Sequence, residues 1–155
     1  MNPNDPTDAQ PSEPVEPVQD LHALLADGEQ AGAYFVADSD TAAMAEAGAA
    51  LGFAVVRIDL AGCTDKDAVL ARFAQALQFP EWFGGNWDAL ADALADLSWL
   101  PAPGYLLLIE HPAPFGEAAG DEFEVLLEIL NESALRWADH GSAMWALLPT
   151  PVQAD

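Results

Sequence analysis

Asp88, Asp92 and Asp96 stand four residues apart in the segment Trp87-Asp88-Ala89-Leu90-Ala91-Asp92-Ala93-Leu94-Ala95-Asp96. A helix through it sets three carboxylates in a row on one face. Three chemistries suit such a row: charge-assisted hydrogen bonds to Arg or Lys of a partner, a shared divalent cation, or general acid and base work. Like charges at this spacing repel by about 0.2–0.5 kcal/mol per pair, and the segment holds no Lys or Arg to relieve them. Local folding therefore gains nothing from the row. Motifs for the two catalytic options are missing: the sequence has no DxDxDG loop, HExxH, GxSxG or Walker pattern. Glu110-His111 is a weak pair, and His22, His111 and His140 are scattered. No catalytic residue, metal ligand or cofactor is assigned, and the chain is not expected to be an enzyme.

The same segment carries its own anchor. Trp87, Leu90, Leu94 and Leu97 recur at helical spacing and form an apolar stripe facing away from the aspartates. One face docks while the other presents carboxylates. Asn86 is a good N-cap, and Gly84-Gly85 ahead of it suits a tight turn needing positive φ or close backbone approach. Of the neighbouring aromatics, Phe83 reads as a hydrophobic staple and Trp87 as core. Trp82 reads equally well as core or as an interface anchor.

The rest of the chain supplies one domain's worth of structure. It has 155 residues, 52% of them hydrophobic, and 26 acids against Arg57, Lys66, Arg72 and Arg136, for a net charge of −22. Such a field repels nucleic acid and anionic lipid and speeds encounter with basic proteins. No membrane-spanning stretch or secretory signal is read. The lone Cys63 gives no sign of an oxidising compartment, so a cytoplasmic location is expected.

Residues 1–20 hold five prolines and five acids and are expected to be a disordered acidic tail. From residue 33, short apolar runs alternate with amphipathic ones, as in strands joined by crossover helices. Strands are predicted at 33–37, 53–60, 105–109 and 144–148. Helices are predicted at 41–51, capped from Asp38-Ser39-Asp40 and closed by Gly52, and from Thr64 to Leu77, with Thr64-x-x-Asp67 as a capping box. Two more are predicted at 86–97 and 121–139. Pro112, Pro114 and Gly116 read as a loop, and Pro149 and Pro151 as the end of the ordered chain. The fold class is α/β, with a mainly parallel sheet of about four strands.

Pro80-Glu81-Trp82-Phe83-Gly84-Gly85-Asn86-Trp87-Asp88-Ala89-Leu90-x-Asp92-x-Leu94 resembles the barstar family signature P-E-Y-Y-G-E-N-L-D-A-L-x-D-x-L. Barstar is the intracellular inhibitor of the secreted ribonuclease barnase. The downstream order of a Leu-rich strand ending in Glu110, a long helix and a final strand is similar too. The likeness spans residues 53–148 and implies a small three-layer fold with an extra N-terminal βα unit. The expected division is thus a tail at 1–20, a βα extension of the sheet at 21–52 and a barstar-like domain at 53–150.

The resemblance implies that Asp88 and Asp92 enter a ribonuclease active site where substrate phosphates would sit. It also implies that Trp82 packs on the enzyme's catalytic histidine, with Gly84 and Asn86 in the loop over the site; Gly85 is counted with them among the partner-binding residues. Asp96 extends the acidic row. Ala91 stands where the family has Trp and Gly85 where it has Glu. The family's later acidic contact falls near Arg136, with Glu132 one turn earlier. The expected partner is a basic extracellular-type or toxin ribonuclease, bound one to one by a monomer, with no nucleic acid or membrane partner. The alternative is an acidic interaction module, on the same scaffold, that binds another basic protein.

Overall fold

Leu106, Leu107, Leu108 and Ile109 are wholly buried, because the strand they form is covered on both faces. The computed structural model describes residues 17–81 and 83–150, with side chains from residue 21. In chain order the elements are helix α1 (Pro17–Ala26), strand β1 (Ala33–Ala37), a 3-10 turn (Asp38–Asp40), α2 (Thr41–Ala50), β2 (Ala54–Asp59) and α3 (Lys66–Leu77). There follow α4 (Trp87–Asp96), β3 (Gly104–Glu110), α5 (Ala113–Ala118), α6 (Gly120–Asp139) and β4 (Ala143–Thr150).

The four strands form one parallel sheet in the order β1-β4-β3-β2. Ala33 pairs with Ala146, Gly104 with Ala143, and Ala54 with Tyr105. Side chains alternate across a strand. Leu106, Leu108, Trp145 and Leu147 therefore meet Leu25 of α1 and Ala47 of α2 on one face. Leu107, Ile109, Ala146 and Leu148 meet Phe73, Leu90, Leu94, Phe115, Leu126 and Leu130 of α3 to α6 on the other. The result is the expected three-layer α/β architecture, with the acidic helix in the larger helical layer.

Several local expectations need correction. Helix α1 begins inside the stretch expected to be a disordered tail; residues 1–16 lie outside the described residues. Proline at a helix start loses no hydrogen bond, and Leu25 is buried against the sheet while its carbonyl accepts from Trp145 Nε1 at 2.9 Å. The chain ahead of β2 is thus α1-β1-α2 rather than a bare βα unit. Asp65, not Thr64, caps α3: its Oδ1 accepts the Ala68 N–H at 2.9 Å. Asp40 makes no side-chain cap to α2, since residues 38–40 are already wound as a 3-10 turn. The 112–116 loop contains α5, with Pro114 in its first turn, where a missing N–H costs nothing.

Strand β4 also runs through Pro149, past the expected end. The Ala146 N–H donates to the Gly32 carbonyl on the β1 side, so by alternation the Pro149 nitrogen points to the β3 side. There the ladder has already ended at Leu108 and Leu147, and no donor is missed.

Candidate partner-binding surface

Gly85 takes φ +74°, the left-handed conformation a side chain would oppose, and turns the chain into Asn86. Asn86 is extended (φ −132°, ψ 175°), and its Oδ1 accepts the Ala89 N–H at 2.7 Å. That is the expected N-cap, and it fixes where α4 starts. The helix ends on Leu97, a non-glycine residue at φ 48°. A left-handed Leu costs about 1–2 kcal/mol, and full burial of its side chain contributes about 1.5–3 kcal/mol, so burial wins.

The underside of α4 is sealed. Leu90, Ala93 and Leu94 are wholly buried, and Trp87 is half-buried against the same core. Trp87 Nε1 donates to Glu122 Oε1 at 2.6 Å near the start of α6, and Trp137 Nε1 donates to the Leu94 carbonyl at 2.8 Å near its end. The two helices run in the same direction, tied at both ends. Neither bond was visible in the sequence, because 35 and 43 residues separate the partners. Only the presence of Trp, whose buried N–H needs an acceptor, hinted at them.

The outer face carries the row. Asp88, Asp92 and Asp96 are all exposed, and among the described residues none of them forms an ion pair. The chain's own arginines are engaged elsewhere or on other elements. Arg57 holds Glu110 at 2.7 Å, Arg72 donates to the Asp59 and Ala61 carbonyls at 2.7 and 3.3 Å, and Arg136 is exposed on α6. Asp88 sits in the first turn, where the helix dipole favours an anion, but Asp96 sits in the last turn, where it does not. Three uncompensated carboxylates on one anchored helix form a rigid, solvent-facing acceptor surface for Arg or Lys.

The neighbouring residues divide between core and surface. Phe83 is half-buried against the main core, with its ring 4.7 Å from that of Phe79. Gly84 and Gly85 are exposed beside the row, and Ala91 is half-buried against the core between Asp88 and Asp92. Glu132 and Arg136 are both exposed on α6. Trp82 lies outside the described residues.

A second polar cluster lies at the C-terminal ends of β2 and β3. His111 Nδ1 is 2.8 Å from Asp59 Oδ1. The Ala61 N–H, then His111, hold the Asp59 carboxyl below its ordinary range. The hydrogen bond to Asp59 in turn raises His111. Among the described residues no three His, Cys, Asp or Glu side chains are grouped to hold a metal ion, and no helix is long and apolar enough to cross a membrane.

A search of curated proteins returns no significant match. A protein-family model described as barstar (barnase inhibitor) matches residues 53–149. The matched stretch runs from the approach to β2 through α3, α4, β3 and α6 into β4, and it contains the whole acidic row. It covers more than half of the sequence, and the chain belongs to the barstar (barnase inhibitor) family.

Proposed function

We propose that this protein is an intracellular inhibitor of a barnase-like secreted or toxin ribonuclease. It binds as a monomer in a one-to-one complex and closes the enzyme's basic active site with α4. The observation that carries this reading is the exposed, unpaired row Asp88, Asp92 and Asp96 on a helix tied to α6 at both ends. A ribonuclease neutralises RNA phosphates with Arg and Lys, so its empty site is a cationic cavity that an inhibitor can desolvate. Carboxylates held rigidly at the right spacing substitute for those phosphates through charge-assisted bonds. The repulsion within the row is relieved on binding, and the negative field of the whole chain accelerates association. The loop of Gly84, Gly85 and Asn86 lies over the enzyme's site, Trp82 packs on its catalytic histidine, and Ala91 and Asp96 lie within the contact.

The test is an RNA-cleavage assay with purified barnase-like ribonucleases. Stoichiometric inhibition that weakens with salt and is lost in Asp92→Ala supports the reading. No inhibition of any such enzyme, with Asp92→Ala changing no binding to a basic partner, overturns it.

Ala91 and Arg136 favour a second reading, in which the scaffold recognises a different basic protein. A half-buried Ala beside the row offers no large side chain to an interface. Capture from a lysate in low salt separates the two readings, because only the first recovers a ribonuclease.

A further inference from the structure

Beyond the C-terminal ends of the strands lies a crevice of about 460 Å³ whose walls include Phe35, Pro112, Phe123 and Pro149, with Asp38 and His111 among its polar groups. It sits where β1 leads into α2 on one face of the sheet while β3 leads into α5 and α6 on the other. Between them, the ladder joining β4 to β3 has stopped at Leu147. Open parallel sheets bind ligands at such topological switch points, and the volume falls within the usual range of small-molecule sites.

The lining has a definite chemistry. Phe35 is 56% exposed although its ring meets Phe123 edge-on at 6.1 Å, so one aromatic face lacks cover. Of the charges around the crevice, Glu110 is paired with Arg57 and His111 with Asp59. Asp38 acts on His111 through space, but no hydrogen bond or ion pair holds its carboxylate among the described residues, so the charge left to take a ligand beside the aromatic wall is negative. His111 also stands apart: Gln78 and Leu97, the other non-glycine residues at positive φ among the described residues, are helix C-caps, whereas His111 (φ 56°) directly follows a strand. Backbone held in this way without a capping role gathers at functional sites.

We propose that this crevice binds a small organic ammonium ion with an aromatic or alicyclic body, its charge on Asp38 and its ring against Phe35. Ammonium and carboxylate supply a charge-assisted bond, and an ammonium group near an aromatic face gains a cation–π contribution. The site is independent of ribonuclease binding.

The experiment titrates the full-length protein with phenethylamine, 2-phenylethanol, phenylacetate and methylammonium while following backbone amide NMR shifts. Phenethylamine is expected to shift Asp38, His111, Gly116 and Thr150 saturably. 2-Phenylethanol and methylammonium should each bind at least fivefold more weakly, and phenylacetate more weakly still. Asp38→Asn should reduce phenethylamine binding to the level of the alcohol, and Phe35→Ala to that of methylammonium. Both residues are exposed, and an unchanged amide spectrum elsewhere reports intact folding. Equal binding of amine and alcohol overturns the proposal, as does equal binding of phenethylamine and methylammonium. So do no binding of phenethylamine, shifts centred on Asp88 to Asp96, or an Asp38→Asn variant that binds as before.

Discussion

The indole N–H of Trp87 and the carboxylate of Glu122 meet at 2.6 Å, joining the first turns of α4 and α6. A partly buried hydrogen bond to a charged acceptor contributes about 1.5–3 kcal/mol at most, less where solvent reaches it. Trp87→Phe keeps most of the apolar contact and removes only the donor. It is expected to lower unfolding stability by about 1–2 kcal/mol in urea titration. Inhibition should weaken with it, because the row loses one of its two fixings.

Asp92 has like-charged neighbours on both sides, so its removal should act in opposite directions on folding and on binding. Asp92→Ala relieves two repulsions of about 0.2–0.5 kcal/mol each and adds the better helix former. Thermal unfolding should show equal or slightly higher stability, while association with the proposed ribonuclease target weakens more than tenfold. Because the charges are exposed, the loss should be greatest at low ionic strength.

Asn86→Ala removes the acceptor for the Ala89 N–H and is expected to cost about 1 kcal/mol. Asn86→Asp and Asn86→Ser should restore most of it in the same chemical denaturation measurement. If the loop also touches the enzyme, Asn86→Ser will recover stability more fully than affinity.

The Asp59 and His111 pair gives folding a defined pH signature. His111 is raised from 6.5, mainly by its bond to Asp59 and with smaller effects from Glu110 and Asp38. Its contribution is complete below 6.5 and is lost as pH rises through the folded value. Asp59 is lowered from 3.8, so its contribution is present above 3.8 and is lost as pH falls through the folded value. The pair thus helps most between those two limits. NMR titration should place the His111 midpoint above 6.5, and Asp59→Asn should bring it back toward 6.5. Both groups are largely exposed, so the effect on global stability is small.

Features carried by local pattern were legible in the sequence. The run Tyr105 to Ile109 could only be a strand covered on both faces, and Asn86 with the spacing of Trp87, Leu90, Leu94 and Leu97 marked both the start and the inner face of α4. Gly85 and Gly52, at φ +74° and +82°, stand where turns require them. Features decided by distant neighbours were not legible. Leu97 is left-handed because its side chain is buried, which no helix-end rule anticipates. Helix α1 is held by Trp145, 120 residues away from the carbonyl it binds. Trp87 could be read as core, but Glu122 as its acceptor could not. Asp65 displaced Thr64 because two adjacent residues both suit an N-cap, and only the backbone turn decides between them.

The strand order β1-β4-β3-β2 makes residues 17–52 an integral part of the scaffold. The family match begins at residue 53, yet β4 is interior only because β1 pairs with it, and one side of the sheet is roofed by α1 and α2. Cutting the chain at that boundary would unroof Leu106, Leu108, Trp145 and Leu147 and leave the backbone of β4 unpaired along one side. A greasy plane beside an open ladder is a template for self-association, so the shortened protein is expected to clump.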